Sequence, residues 1–287
     1  MSINASDYTD CGSHSYQLSS SHYARINFVI VSCSTAVCAF LAIIVNLWFI
    51  FAEIGWNKRE RRTHHANNLY ILLSFSDLLS GLVLLPIYIM LSVGFITGSP
   101  YCNLLHVRSL STYTIATMSI TVIACITLEV YFSIDKPFVN SVKAKRKFLI
   151  RCTIAVWTVC VVLPLLTYYI FPGLFKVYKT IATVYGLLIL CFLAYSQHKV
   201  RSYLRRNTTS RLPRYKYAAN IALLTFLVYC CCYLPAGLNN IGIMITGSTT
   251  LTQTFIDPWC YCIALSNSFF DTFVYGLRSR SRRVSSL

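Results

Sequence analysis

The sequence predicts an all-α fold: a bundle of seven transmembrane helices with the N-terminus outside and the C-terminus in the cytoplasm. Two observations carry that prediction. Seven long apolar stretches run approximately through 27–52, 67–91, 103–134, 148–171, 178–204, 217–245 and 251–276. Each reaches the ~20 residues needed to cross a hydrocarbon core about 30 Å thick. Of the 25 Lys and Arg residues, 21 fall in four clusters that follow the first, third, fifth and seventh stretches. Such an excess of Lys and Arg marks cytoplasmic loops.

The clusters are Lys58, Arg59, Arg61 and Arg62; Lys136, Lys143, Lys145, Arg146, Lys147 and Arg151; Lys199, Arg201, Arg205, Arg206, Arg211, Arg214 and Lys216; and Arg278, Arg280, Arg282 and Arg283. A mean hydropathy of +0.58 with 12% charged residues is far from a soluble domain, where about a quarter of residues are charged. Helices are the expected element, because lipid offers no other partner to backbone N–H and C=O groups. The short alternating segments of a transmembrane barrel are absent. The net charge of +16 sits beside the spans, so it is read as a topology signal that also attracts anionic lipid, not as a nucleic-acid surface.

Residues 1–24 form a polar extracellular segment without the apolar core of a signal peptide, so the first span is expected to direct its own insertion. Residues 25–276 form the membrane domain, and 277–287 a short cytoplasmic tail. Asn4-Ala5-Ser6 fits the N-glycosylation pattern on the outer side, whereas Asn207-Thr208-Thr209 lies in a basic inner loop and is expected to stay bare. Thirteen cysteines do not form a disulfide framework: nine lie within spans, where small polarizable packing is their ordinary role.

Polar residues at bilayer depth are the next signal. A carboxylate there costs at least a few kcal/mol, so each one suggests a site. Asp77 lies deep in the second span, Asp271 in the seventh, Asn46 in the first and Ser119 in the third. On separate helices these can converge only in the bundle core. Oxygen ligands for a small cation, or a hydrated hydrogen-bond network with one carboxyl protonated, both fit.

The order of such residues along the chain resembles that of rhodopsin-like (class A) G-protein-coupled receptors. Asn46 matches the family's first-span Asn, and Leu73 with Asp77 its Leu-x-x-x-Asp. Glu129-Val130-Tyr131, followed by Pro137, resembles the Asp/Glu-Arg-Tyr end of the third span. Trp157 and Pro164 match the fourth-span pair, and Tyr195 the lower fifth-span Tyr. Cys232-Tyr233-Leu234-Pro235 resembles Cys-Trp-x-Pro, and Asn267 through Asp271 to Tyr275 resembles the Asn/Asp-Pro-x-x-Tyr of the seventh span. The resemblance implies an allosteric sodium site at Asp77, Ser119, Asn267 and Asp271. It also implies a conformational switch at Glu129, Val130, Tyr131, Tyr195, Tyr233, Pro235 and Tyr275, no other cofactor, and an extracellular ligand and a heterotrimeric G protein as partners. Homo- or hetero-dimerisation stays open.

The chain departs from that pattern at informative places. Val130 stands where the family has Arg, Tyr233 where it has Trp, and Thr272 where it has Pro. The fifth span has no Pro. The loop near 171–178 has no cysteine, so the family's usual disulfide cannot form. A Cys11–Cys102 bridge is the substitute expected, against two free thiols. The short cysteine-free loop and Pro-free fifth span resemble the melanocortin, cannabinoid and lysophospholipid receptors. That points to a lipid or peptide ligand over an amine, as does Thr112 where amine receptors keep an Asp.

The outer ends of the spans offer Tyr88, Arg108, Thr112, Asn239, Asn240, Gln253 and Asp257 to a ligand. Arg108 is one helical turn above Thr112. It can receive a carboxylate or phosphate bidentately; the alternatives are an ion pair with Asp257 or snorkelling to the interface. No Ser/His/Asp set and no His/Glu metal pattern falls in one buried cluster, and the seventh span has no Lys for a retinal Schiff base. The sequence therefore predicts a non-enzymatic, multi-pass plasma-membrane receptor. A receptor-shaped binder, chaperone or heteromer partner that does not itself signal is the second reading, motivated by Val130, Tyr233 and Thr272. A transporter is a distant third, since no inverted repeat is visible.

Overall fold

The computed structural model describes residues 22–59, 68–97, 102–135, 142–169, 175–206, 212–246 and 255–284, and all of them are helical. The helices are α1 (His22–Arg59), α2 (Asn68–Leu79), α3 (Leu85–Thr97), α4 (Cys102–Asp135), α5 (Val142–Tyr169), α6 (Phe175–Arg206), α7 (Leu212–Thr246) and α8 (Asp257–Val284). A π-turn at Ser80–Leu84 joins α2 to α3, so the pair forms one span. The eight helices thus make a seven-span bundle. The side bearing the start of α1 is the N-side; the opposite, basic side carries Arg151, Lys199, Arg201 and Arg205 among the described residues.

Six helical segments are long and apolar enough to cross a membrane: His22–Gly55, Asn68–Gly94, Leu110–Tyr131, Phe148–Leu166, Thr180–Arg205 and Ala219–Gly242. The seventh differs in composition. Helix α8 is long enough, at 28 residues, but it is too polar to count as a span by composition. Ser268, Asn267, Asp271 and Thr272 are all buried, so its polar stripe faces the other helices and only the rest faces outward. Helix α8 continues unbroken past residue 276 to Val284.

The π-turn has a local cause. Pro86 lies in the first turn of α3, and its ring removes an N–H and crowds the carbonyl four residues back, within the π segment. A wider turn relieves both. In the same segment Gly81 lies against α1. A Cβ there would stand 2.8 Å from Ile43 Cγ1 and 3.0 Å from the Ala39 carbonyl oxygen. With Ala39 and Ala42 fully buried, this is a seam of small residues through which two backbones approach, the usual source of helix association in lipid.

Helix α4 is the axis of the bundle. Its Ile120, Val122, Ile123 and Ile126 pack in one cluster with Leu69 and Leu73 of α2, Leu149 of α5, Leu193 of α6 and Tyr229 of α7. Trp157 of α5 donates its indole N–H to the Met118 carbonyl at 3.2 Å. Thr121 and the Tyr185 hydroxyl of α6 are 2.9 Å apart. Outward faces carry large apolar side chains such as Phe40, Trp48 and Phe51 on α1 and Val159 and Leu163 on α5, as a lipid-facing surface requires.

Candidate functional site: a polar clasp, an apolar cavity and a buried carboxylate pair

On the N-side three helices meet through one carboxylate. Arg108 of α4 donates from Nη2 to Asp257 Oδ2 at 3.0 Å. Asn239 of α7 donates from Nδ2 to Asp257 Oδ1, also at 3.0 Å. Asp257 lies in the first turn of α8, where the helix dipole favours negative charge. The guanidinium carbon is 4.5 Å from the Tyr261 ring centroid and 5.9 Å from that of Tyr88 on α3. Both rings face a largely desolvated cation, where such contacts are strongest. Of the arrangements open to Arg108 from sequence, the structure has the ion pair.

One turn below this clasp lies a cavity of about 110 Å³ enclosed by α4, α6, α7 and α8. Thr112, Tyr113 and Asn240 line its upper part, Ile120, Leu190, Tyr229 and Tyr233 its floor, and Gly186 and Gly237 its α6 and α7 walls. No described lining residue is charged. Tyr229 and Tyr233, one turn apart on α7, stack with centroids 4.4 Å apart. The Tyr88 and Thr112 hydroxyls neighbour one another without forming a hydrogen bond, and Arg108 Nε is likewise unpartnered.

Deeper, the intramembrane polar residues converge. Asn46, Asp77, Ser119, Asn267 and Asp271 are each at most 1% exposed, so none relies on bulk water. Asn46 of α1 donates from Nδ2 to the Ser268 carbonyl at 2.9 Å and accepts the Thr272 hydroxyl at 2.5 Å. Thr272 thus binds α1 through its hydroxyl at the position where the resemblance expects Pro. Asn267 donates to Asp271 Oδ2 at 2.7 Å. Ser119 pairs with Ser76 at 3.1 Å. Asp77 has Asp271, Ser119 and Ser268 around it, yet neither of its oxygens makes a hydrogen bond. Asp271 Oδ1 and Asn267 Oδ1 are also unpartnered. These four orphaned atoms are all acceptors. With the Ser119 and Ser268 hydroxyls in reach of Asp77, two carboxyls buried in one cluster favour a proton on one of them or a small oxygen-seeking cation.

On the basic side, Val130 is buried. It packs with Val200 of α6 and Ala219 and Ala222 of α7, flanked by Tyr131 and Leu204. Glu129 is half-buried beside it. Tyr195 does not join these residues: it lies on the outer surface of α6, with Lys199 Nζ 5.6 Å from its ring centroid. Pro235 sits inside α7 just above the stacked tyrosines.

The structure therefore brings together Tyr88, Arg108, Thr112, Asn239 and Asp257 in and below the clasp, and Asn240 at the cavity. Asn4, Cys11, Asn207 and Gln253 lie outside the described residues, as do the side chains of Cys102 and Tyr275. Tyr261 was missed from sequence, although it follows Asp257 by four residues and so shares its helical face. Tyr229 stands in the same relation to Tyr233. Gly186 and Gly237 gave no local signal.

With this geometry in place, the sequence match becomes specific. Residues 46–177 match the family described as 7 transmembrane receptor (rhodopsin family). The match takes in Asn46, Asp77, Ser119 and Glu129-Val130-Tyr131, and covers just under half of the chain. It supports a rhodopsin-like receptor spanning the membrane several times. No curated protein matches the chain.

Proposed function

We propose that the chain is a rhodopsin-like G-protein-coupled receptor of the plasma membrane, with its N-terminus outside and its basic side toward the cytoplasm. It binds a lipid or peptide ligand from the N-side half and passes the signal to a heterotrimeric G protein. The observation that carries this reading is the shared helices. The cavity and the Val130 cluster are both built from α4, α6 and α7. A ligand that displaces Tyr229 and Tyr233 moves the same helix whose basic end holds Ala219 and Ala222. Separation of α6 and α7 at that end, selected from a pre-existing equilibrium, would open a basic surface to the G protein and to anionic lipid.

The test is ligand-independent dissociation of co-expressed heterotrimers by the wild type and by Val130→Arg. Signal in the wild type supports receptor signalling, and silence rescued by Arg supports a switch weakened at this position. Silence in both, with normal surface expression, favours the second reading, a receptor-shaped binder or heteromer partner. The apolar burial of Val130 is what motivates that second reading.

The four orphaned acceptors of Asp77, Asp271 and Asn267, with Ser119 beside them, fit a sodium ion. Exchange of sodium for choline at equal ionic strength is expected to lower thermal stability in the wild type and to have no effect in Asp77→Asn. The outer segment is proposed to carry a glycan on Asn4 and a Cys11–Cys102 bridge. A glycan on Asn207 would overturn the topology, and peptide mapping that finds both cysteines alkylated would remove the bridge.

A further inference from the structure

Three observations, taken with the receptor reading above, narrow what the cavity takes and how it is reached. The first is charge. No described residue lining the cavity is charged, and the nearby cation, Arg108, is bound by Asp257 and covered by the Tyr261 and Tyr88 rings. An anionic ligand would have to break that pair, leaving the part-buried Asp257 carboxylate unpaired, which is unfavourable. The second is the Thr112 hydroxyl, which lines the upper end of the cavity with the Tyr88 hydroxyl as its neighbour on the far side. A hydroxyl both donates and accepts, so Thr112 keeps one hydrogen-bonding capacity for a group inside the cavity.

The third is the wall between α6 and α7. Gly186 and Gly237 line the cavity, and a Cβ on either would meet nothing within 4 Å. Leu187, Leu234 and Leu238 line the same cavity and are nonetheless exposed, Leu238 by 63%, more than a closed cavity of this size would leave. A side chain that belongs to both surfaces borders an opening. All five residues fall within the membrane-crossing segments Thr180–Arg205 and Ala219–Gly242, so the opening faces lipid. Above, the Arg108–Asp257–Asn239 clasp joins α4, α7 and α8 across the N-side end of the cavity.

We infer that the cavity takes an uncharged, largely hydrocarbon ligand with a single hydrogen-bonding head group, and that this ligand enters sideways from the bilayer between α6 and α7. The chain fills the apolar floor at Ile120, Leu190 and Tyr229. The head group meets the Thr112 hydroxyl. The two glycines leave the doorway clear.

The test uses the full chain in lipid nanodiscs and two probes of equal chain length, each carrying a diazirine and a terminal alkyne: a long-chain alcohol and the corresponding carboxylic acid. The alcohol is expected to label the α6 and α7 peptides around Gly186 and Gly237 several-fold more than the acid does. Gly237→Trp, which fills the opening, is expected to abolish that labelling, while Gly237→Ala keeps it and reports on folding. Thr112→Val should weaken labelling by about fivefold at limiting probe, the loss of one hydrogen bond. Equal labelling by the acid would overturn the uncharged assignment. Labelling that survives both Gly237→Trp and Gly186→Trp would overturn the sideways entry. Because labelling reads binding alone, it separates from the signalling assay. Specific labelling with a silent G-protein assay removes the signalling role and leaves the ligand assignment, whereas G-protein release with nonspecific labelling does the reverse.

Discussion

Arg108 and Val130 lie on the same helix, about 33 Å apart at the α-helical rise, and each closes one end of the bundle by opposite chemistry. At the N-side, Arg108 is held by Asp257, with Asn239 on the second oxygen and two aromatic rings on its faces. At the basic side, Val130 is held by Val200, Ala219 and Ala222 with no polar bond among them. Breaking the first leaves charges without partners. Separating the second leaves only apolar surface, at about 25 cal/mol per Å². The directional end therefore resists opening and preserves geometry, while the non-directional end can slide apart without a half-made bond as an intermediate. A family pattern that places an Arg at position 130 would put directional chemistry at both ends.

The sharpest way to break this contrast is Asp257→Ala. It orphans a part-buried guanidinium, and thermal denaturation in detergent should show a loss approaching about 3 kcal/mol, with Asp257→Asn retaining part of it. Next is Val130→Ala, which removes two methyl groups from a packed cluster. Here about 2 kcal/mol is expected, and a loss as large as that of Asp257→Ala would abolish the distinction between the ends. Between the two ends, Thr272→Val deletes the hydroxyl that Asn46 accepts and should cost about 1 kcal/mol. Smallest is Gly237→Ala. Its Cβ enters open space, so only backbone propensity changes and stability should rise by up to about 1 kcal/mol. A fall would mean that the α6–α7 opening is closed.

Much of this was readable before any coordinates, and the reasons differ by residue. Spans appear as long apolar runs whatever the packing. Asn46, Asp77, Ser119, Asn267 and Asp271 had to meet, because polar groups in lipid have only one another. The Arg108–Asp257 pair was foreseen as one option among three, since sequence counts charges without telling which neighbour is near. The seventh span is the least apolar of the seven, because Ser266, Asn267, Ser268, Asp271 and Thr272 make it a helix for a protein interface. Tyr195 was assigned by order along the chain, but rotation about the helix axis decides its face, and here it faces outward. Gly186 and Gly237 were silent because their meaning lies in the space opposite them, which belongs to no residue.

The polarity of α8 bears on how the molecule is made. A central Asp alone costs about 2.5–3.5 kcal/mol when a helix enters the bilayer by itself, and Asn267 and Thr272 add to that. Helix α8 is therefore expected to be a poor guest in bare lipid and a good one beside α1 and α2, where Asn46 and Asp77 wait for it. Those two residues are expected to act as a receiving dock during biogenesis, before any ligand exists. Damage to them is expected to appear first as chains whose last helix fails to stay in the membrane, caught by quality control.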